Sequence, residues 1–221
     1  MPNPTAAFYF DLASPLAYLA AEQALSVFAE ASEPVVWTPV LAAELPGAES
    51  FAAFRCEQDR EAMLESVAGR ASSLGLQPLR WPEPFPFDSS LAMRVATYAK
   101  SIGRAVPFAQ AAFRQAFAGG RALDNEDAVV IAAAACEMHP AAVLKGAALR
   151  STAEQLERAT AEARAAGVHD VPAVLAGGQV FHGEQELCAA ASFLAGGAVG
   201  SGRSDCREAA PGSARAGRGS Q

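Results

Sequence analysis

The segment Phe8–Ala20, FYFDLASPLAYLA, decides the fold of this chain. It continues a β-type apolar run that begins at Ala7, and it changes at Ser14-Pro15 into a helical pattern. Serine is a favoured N-cap residue and proline is favoured at the first helical position, so the sequence predicts a helix that begins at Pro15. Large apolar residues then recur with helical periodicity at Leu16, Leu19, Leu25 and Phe28.

A second strand is predicted directly after this helix. Pro34 ends the helical pattern, and residues 34–40, PVVWTPV, are rich in β-branched and aromatic residues. A strand, a helix and a strand joined by short links predict a βαβ unit with parallel strands and a right-handed crossover.

The C-terminal part of the chain carries a second set of structural signals. Ser151 and Glu154 have the spacing of a capping box, which predicts a helix over residues 151–166. Gly167 follows as the glycine that commonly ends a helix. Two short β-type runs, residues 171–176 and 179–182, then enclose Gly177-Gly178, which predicts a hairpin. A final helix is expected over residues 184–194.

Helical patterns fill the segment between these two halves, and no further β pattern occurs there. The order β-α-β … α-β-β-α is that of the thioredoxin fold, so the sequence predicts an α/β protein of this fold with a large all-helical insertion. The predicted parts are a first half over residues 6–45, the insertion over 46–149, a second half over 150–195 and a disordered tail over 196–221. The tail is assigned because it has almost no large apolar residue to bury.

Bulk composition excludes several classes of function. The chain has 221 residues and a formal charge of −7, which is unfavourable for nucleic-acid binding because phosphate contacts dominate that affinity. No apolar run approaches the roughly 20 residues of a membrane helix and no signal peptide is recognisable, so a cytosolic protein is expected. The four cysteines form no C-x-x-C pair and the three histidines are scattered, so neither a dithiol centre nor a metal site is predicted.

Ser14 is the sharpest candidate for chemistry in this sequence. Ligands of α/β sheets bind beyond the carboxyl ends of the strands, where a hydroxyl, the first-turn N–H groups and the helix dipole can converge on an anion. A thiolate is such an anion, and the dipole with one hydroxyl hydrogen bond could lower the pKa of a bound thiol by roughly one to two pH units. The alternative is that Ser14-Pro15 is only a good helix start.

Val171-Pro172 is the second candidate, because a proline that opens a strand has no N–H to give to the sheet. If its peptide bond is cis, the Val171 backbone can turn outward and offer its N–H and C=O to an extended ligand. The alternative is an ordinary proline on an edge strand.

FYFDLASPLAYLA and the downstream GVHDVPAVLAGGQVFHGEQEL together resemble the DsbA-like thioredoxin superfamily. Within it the chain is similar to 2-hydroxychromene-2-carboxylate isomerases and kappa-class glutathione transferases, over about residues 6–195. The resemblance implies that Ser14 replaces the reactive cysteine of redox relatives and hydrogen-bonds the glutathione sulfur. It also implies that Pro172 is cis, that Val171 pairs with the glutathione backbone, and that the γ-glutamyl group lies by Gly183, Glu184 and Gln185.

Two positions depart from the pattern of these relatives. They often carry Ser-Asp or Gln-Asp after the Phe-x-Gly glycine, where the acid can pair with the γ-glutamyl amine, whereas this chain has Glu184-Gln185. They also commonly place a lysine after the second strand, but Lys100 and Lys145 lie far downstream. The predicted cofactor is therefore glutathione or another low-molecular-weight thiol.

A loop rich in proline and aromatic residues, RWPEPFPFD over residues 80–88, is the third candidate. In the related families the matching segment leads into a helix beside the active site. The loop could wall a pocket for an aromatic substrate and offer a guanidinium to its carboxylate; the predicted pocket residues are Pro15, Arg80, Trp81, Phe85 and Phe87. The alternative is that the aromatic side chains fill the seam between the insertion and the sheet.

The function implied by the resemblance is a thiol-dependent cis–trans isomerase of aromatic carboxylates, with a role in the catabolism of aromatic compounds. Catalysis would be nucleophilic, with the thiolate supplied by the cofactor and held by Ser14. A kappa-like glutathione transferase, and a redox-inactive module that binds a thiol or a peptide at Val171-Pro172, are the alternatives. The predicted partner is a small aromatic carboxylate. Binding to nucleic acid or to a membrane is not predicted, and the sequence leaves open whether the protein forms a homodimer.

Overall fold

The computed structural model describes residues 6–48 and 57–196 of the chain. Its first half is the predicted βαβ unit, with strand β1 at Ala6–Phe10, helix α1 at Pro15–Val27 and strand β2 at Val36–Pro39. The two strands pair in parallel, with Phe8 opposite Trp37. The predicted strand–helix–strand order and its parallel pairing are therefore confirmed.

The middle of the described chain is helical. Its five α-helices are α2 at Glu57–Ser73, α3 at Ser90–Ser101, α4 at Ala105–Phe113, α5 at Glu126–Ala134 and α6 at Pro140–Ala148. A π-helical turn, Arg114–Ala118, continues α4. The large helical insertion predicted from the sequence is confirmed, whereas its exact boundaries stay a prediction.

The second half supplies the remaining elements of the fold. They are helix α7 at Arg150–Ala165, strand β3 at Ala173–Ala176, strand β4 at Gln179–His182 and helix α8 at Leu187–Leu194. The four strands form one mixed sheet in the order β2-β1-β3-β4, in which β3 is antiparallel to both β1 and β4. This is the predicted α/β thioredoxin fold.

The hairpin between β3 and β4 follows directly from two glycines. Gly177 and Gly178 have φ angles of 54° and 85°, a left-handed conformation that glycine adopts without steric cost. Ala176 pairs with Gln179, so the two glycines alone form the turn. Positive φ at both central positions matches the twist of the flanking strands.

Two predicted helix starts are wrong. Helix α7 begins at Arg150 after Leu149, which makes no side-chain capping bond. Glu154 pairs instead with the Arg150 guanidinium at 2.7 Å. The reason is that α6 ends at Ala148, so only Leu149 separates the two helices and Ser151 already lies in the first turn of α7. The last helix also begins later than predicted, at Leu187, after a 3-10 turn at Glu184–Glu186.

The sheet separates two apolar clusters. Alternate residues of β1 enter different clusters: Phe8 and Phe10 pack with α1 and the insertion helices, whereas Tyr9 packs beside α7. This alternation follows from the period of two along a strand. None of the helices in residues 6–48 and 57–196 is long and apolar enough to cross a membrane. The predicted tail lies almost entirely outside the described residues.

Candidate active site

Ser14 lies where β1 ends and α1 begins. Its Oγ accepts a hydrogen bond from the Ala17 N–H at 3.1 Å, which is the predicted N-cap. The same hydroxyl lies 3.5 Å from the Val171 carbonyl oxygen, at the long limit for a hydrogen bond. Ser14 is only 1% exposed. The Ser14 hydroxyl is therefore almost completely shielded from solvent by its neighbours.

The loop that opposes Ser14 contains a cis peptide bond between Val171 and Pro172. The cis geometry implied by the family resemblance is thus confirmed. On one side the Pro172 carbonyl accepts a hydrogen bond from the Gly183 N–H at 2.8 Å. On the other side the Gly47 N–H donates to the His169 carbonyl, and a Cβ at Gly47 would lie only 2.4 Å from that oxygen. The loop is therefore held by backbone contacts at both ends.

The Val171 N–H, predicted to pair with a ligand backbone, already has an acceptor. It donates to Asp170 Oδ1 at 2.7 Å. A peptide-like ligand would have to displace this carboxylate to form the implied β-type contact. The sequence carries no signal for this bond, because an aspartate before a Val-Pro pair has many available partners.

Glu184, predicted to lie by the γ-glutamyl group, forms an ion pair with Arg70 of α2. The Arg70 Nη1 to Glu184 Oε1 distance is 2.7 Å, and only 8% of the Glu184 side chain is exposed. Gly183 precedes it with a φ of 83°, and Gln185 is exposed. The carboxylate at this end of the site is therefore balanced by a cation of the protein.

Asp11 is a buried carboxylate behind Ser14 that sequence analysis missed as a site residue. Its two oxygens accept the N–H groups of Ala13 and Ala42, each at 2.9 Å, and the Ser89 hydroxyl also hydrogen-bonds it. Burial raises the pKa of Asp11, while these three donors oppose that shift. Its backbone carbonyl also accepts the Ser14 N–H at 3.0 Å. The side chain thus joins three segments around the start of α1.

The aromatic residues of the loop over 80–88 contribute mainly to packing. The ring centroids of Trp81 and Phe85 are 5.2 Å apart, and both rings contact Phe117 of the π-helical turn. Phe117 in turn stacks on Tyr18 of α1 at 5.6 Å. Phe85 and Phe87 are 9% and 6% exposed. This burial favours the seam-filling alternative for the two phenylalanines.

The other predicted pocket residues, Pro15, Arg80 and Trp81, differ in their exposure and in their neighbours. Pro15 is buried at the first position of α1, whereas Arg80 is exposed and its backbone N–H donates to the Phe117 carbonyl at 2.8 Å. Trp81 is half-buried and borders an open cavity of about 440 Å³, which Arg121 and Asp124 also line. Ser14 is not among the residues that line this cavity.

Lys100 contacts the second strand in the folded protein, although it lies far from that strand in the sequence. Its Nζ donates to the Thr38 Oγ1 of β2 at 2.8 Å, although the two residues lie 62 positions apart. Burial lowers the pKa of Lys100, and the nearby Glu162 carboxylate opposes this shift. A lysine next to β2 therefore exists here, supplied by α3 rather than by the segment after the strand.

Two histidines stack beside the cis-proline loop. The ring centroids of His169 and His182 are 3.8 Å apart, and the His169 N–H lies 3.4 Å from His182 Nε2. Burial and the neighbouring His169 lower the pKa of His182, while a hydrogen bond to Gly167 raises it. Because Nε2 accepts the amide proton of His169, the neutral form of His182 fits this arrangement.

Replacing His182 with glutamine should reduce the loss of stability in acid. The pKa of His182 lies below its ordinary value of 6.5 in the folded chain, so unfolding takes up a proton as the pH falls through that value. Between about pH 8 and about pH 5 the wild type should lose about 0.5 kcal/mol through this group, a small effect because water screens a half-exposed pair. Chemical denaturation across this range measures the difference.

His139→Gln is the matched control for that measurement, because His139 is exposed and precedes α6. This variant should keep nearly the wild-type free energy of unfolding at neutral pH, because its side chain faces solvent. Equal slopes for His182→Gln and the wild type would show that His182 does not couple to folding.

Within the described residues no group of three or more histidine, cysteine, aspartate and glutamate side chains could hold a metal ion. The described arrangement is that of a thioredoxin-fold protein: a mixed sheet, a serine at the N-terminus of α1 and a cis-proline loop facing it. The chain belongs to the DsbA-like thioredoxin family, whose domain model matches residues 5–195. A search of curated protein sequences found no significant match.

Solved structures of the same fold include proteins of different activities. A 2-hydroxychromene-2-carboxylate isomerase has a TM-score of 0.75 and 19% identity, with 86% of this chain and 93% of that chain covered. A probable DsbA oxidoreductase from Streptomyces coelicolor has a TM-score of 0.69 and 19% identity, with 94% and 99% covered. The cytosolic disulfide reductase DsbM from Pseudomonas aeruginosa has a TM-score of 0.58 and 14% identity, with 87% and 96% covered. At these identities the likeness establishes the fold and not the reaction.

Proposed function

We infer that this protein is a thiol-dependent isomerase of the 2-hydroxychromene-2-carboxylate isomerase type, with glutathione or another low-molecular-weight thiol as its cofactor. One observation carries the proposal: the Ser14 hydroxyl at the N-terminus of α1 faces the carbonyl before cis Pro172 at 3.5 Å. A serine at the position where redox relatives carry the reactive cysteine cannot act in disulfide exchange, because that reaction needs a thiolate of the protein. It can, however, hold a thiolate that a cofactor brings.

The Ser14 hydroxyl and the N-terminus of α1 are chemically suited to bind a thiolate. The Ser14 hydroxyl already accepts the Ala17 N–H, so its own proton is available to a sulfur anion. Its bond to Val171 O is long and weak at 3.5 Å, and giving it up costs little. The positive end of the α1 dipole adds to the stabilisation of the anion. Together these groups favour the ionised form of a thiol at neutral pH.

When bound, the cofactor supplies a nucleophilic sulfur that adds reversibly to an electron-poor C=C bond of an aromatic carboxylate, so that the bond can rotate before the sulfur leaves. The burial of Ser14 excludes water and makes its hydrogen bond to an anion stronger than in solution. Asp11 holds the turn before Ser14, because its side chain and its carbonyl bind the backbone on both sides of that turn. These residues would therefore hold a bound thiolate at the start of α1.

A redox-inactive binding module is the second candidate, and a specific observation favours it. Ser14 is 1% exposed, and the Val171 N–H is occupied by Asp170. A site that serves binding alone can open rarely, whereas turnover requires repeated entry of thiol and substrate. A kappa-like transferase would use the same serine and release a conjugate.

Turnover of 2-hydroxychromene-2-carboxylate in the presence and absence of added thiol tests the proposal. We expect isomerised product only when a thiol is present, and no reduction of insulin disulfides under the same conditions. Accumulation of a thiol conjugate would indicate a transferase, and thiol binding without turnover would indicate a binding module. Cys136→Ser is the matched control, because Cys136 is a buried free thiol whose pKa is raised by burial, so its loss should leave turnover unchanged.

A further inference from the structure

The Arg70–Glu184 ion pair joins the insertion to the end of the candidate site. Glu184 follows Gly183, whose N–H is bonded to the Pro172 carbonyl at 2.8 Å. The cis-proline loop therefore connects the surroundings of Ser14 to this ion pair, and a small molecule with its sulfur at Ser14 that extended along the loop would approach the pair. The charge found there decides which chemical groups the far end of the ligand can carry.

The two charges of this pair differ strongly in exposure. The Glu184 side chain is 8% exposed, whereas the Arg70 side chain is 38% exposed. Among the described residues Arg70 makes one hydrogen bond, from Nη1, although a guanidinium carries five N–H donors. The Glu184 side chain is thus the less accessible partner and is already engaged by a cation, whereas the half-exposed guanidinium is the more accessible partner for a ligand.

An ammonium group is unfavourable at this place. It could reach Glu184 only by displacing Arg70 or by sharing a nearly buried carboxylate with it, and two cations at one such carboxylate repel each other. A carboxylate or another anion, in contrast, can bind the half-exposed Arg70 guanidinium in a charge-assisted hydrogen bond. The Val171 N–H offers a peptide-like thiol no compensation, because Asp170 occupies it at 2.7 Å.

We propose that Arg70 is a specificity-determining residue, which selects low-molecular-weight thiols with an anionic far end that carries no free ammonium. This inference rests on the proposed thiol-dependent function and narrows its cofactor class. The site then discriminates against glutathione itself, whose γ-glutamyl end carries both an ammonium and a carboxylate. Thiols in which that amine is acylated are not excluded, because they carry no ammonium charge.

Glutathione and N-acetylglutathione are the probes, because they differ only in that ammonium. Isothermal titration calorimetry of the full chain should show N-acetylglutathione binding about tenfold more tightly than glutathione. In Arg70→Gln the preference should disappear, because Glu184 is then open to the ammonium. The matched control is Arg60→Gln, on the same helix, since Arg60 pairs with Glu57 at the surface and the preference should persist.

Glu184→Gln provides a second variant that keeps the cation and removes the carboxylate. It should retain or increase the preference for N-acetylglutathione. Tighter or equal binding of glutathione by the wild type overturns the inference, and so does an unchanged preference in Arg70→Gln. In both cases thiol binding itself would leave the proposed function standing. If neither thiol binds the wild type, the inference is overturned, whereas the proposed function is decided separately by thiol-dependent turnover of 2-hydroxychromene-2-carboxylate.

Discussion

Removing the hydroxyl of Ser14 should lower thiol-dependent turnover by about tenfold to a hundredfold. A hydrogen bond that strengthens toward the reacting thiolate is worth about 2 kcal/mol in the chemical step. Ser14→Ala removes this bond and the N-cap to Ala17, so it should also cost about 1 kcal/mol of unfolding free energy. Ser14→Gly removes the hydroxyl as well, but glycine at an N-cap lowers the free energy of unfolding by only about a few tenths of a kcal/mol. Turnover of both variants and their denaturation curves are the measurements.

The two variants separate catalysis from capping. If Ser14 is only a cap, activity should follow stability, and Ser14→Gly should be nearly as active as the wild type. If Ser14 holds the thiolate, both variants should be equally impaired although their stabilities differ. Ser14→Thr keeps a hydroxyl and serves as the control. The pKa of the bound thiol, followed by thiolate absorbance, should rise in the alanine and glycine variants and stay low with threonine; the same pKa in all four proteins would remove the role assigned to Ser14.

Replacing Asp11 with alanine should destabilise the protein by about 3 kcal/mol. Its carboxylate satisfies the N–H groups of Ala13 and Ala42, and each buried donor left without a partner costs about 1–3 kcal/mol. Asp11→Asn should cost less, because one amide oxygen still accepts one of the two donors. Asp127→Asn is the control, since Asp127 is exposed in the first turn of α5. Urea denaturation of the variants gives the differences, and an Asp11→Ala loss no larger than that of the control would contradict this account.

The difference in unfolding free energy between the wild type and Asp11→Asn should depend on pH, and the direction of the Asp11 pKa shift gives the sign of this dependence. Burial raises the pKa of Asp11 above its ordinary value of 3.8, so just above that pH the folded chain holds a proton that the unfolded chain has released. The contribution of Asp11 to the unfolding free energy therefore falls as the pH rises through this window. The advantage of the wild type over Asp11→Asn should decrease from about pH 4 to about pH 7. An advantage that grows over this range would show that hydrogen bonding outweighs burial.

The fold was predictable where neighbouring residues decide the backbone. Serine before proline predicted the start of α1, and Gly177-Gly178 predicted a two-residue hairpin turn. Both features depend on conformational preferences and hydrogen bonds within three or four residues. The start of α7 was missed, because it depends on where the preceding helix ends and not on the serine that has capping-box spacing.

The candidate site was only half predictable. The family resemblance, carried by motifs at the two ends of the chain, implied that Ser14 and Val171 contact the same cofactor, and the structure places the Ser14 hydroxyl 3.5 Å from the Val171 carbonyl oxygen. Arg70 carried no signal of its own, because a single arginine on an amphipathic helix is an ordinary surface residue. Its partner Glu184 lies 114 positions away, and only the packing of α2 against the thioredoxin half brings them together.

Local sequence was enough to specify the order of the elements, the cap at Ser14 and the glycine turn, because these depend on local periodicity and local backbone energies. Only the tertiary structure decided which charges meet and which become buried. Asp11 interrupts an apolar run in either case, but the fold alone surrounds it with three donors and removes it from water. Lys100 likewise reaches Thr38 only because α3 packs on β2. Desolvation and long-range pairing depend on three-dimensional proximity, which the spacing of residues along a chain does not encode.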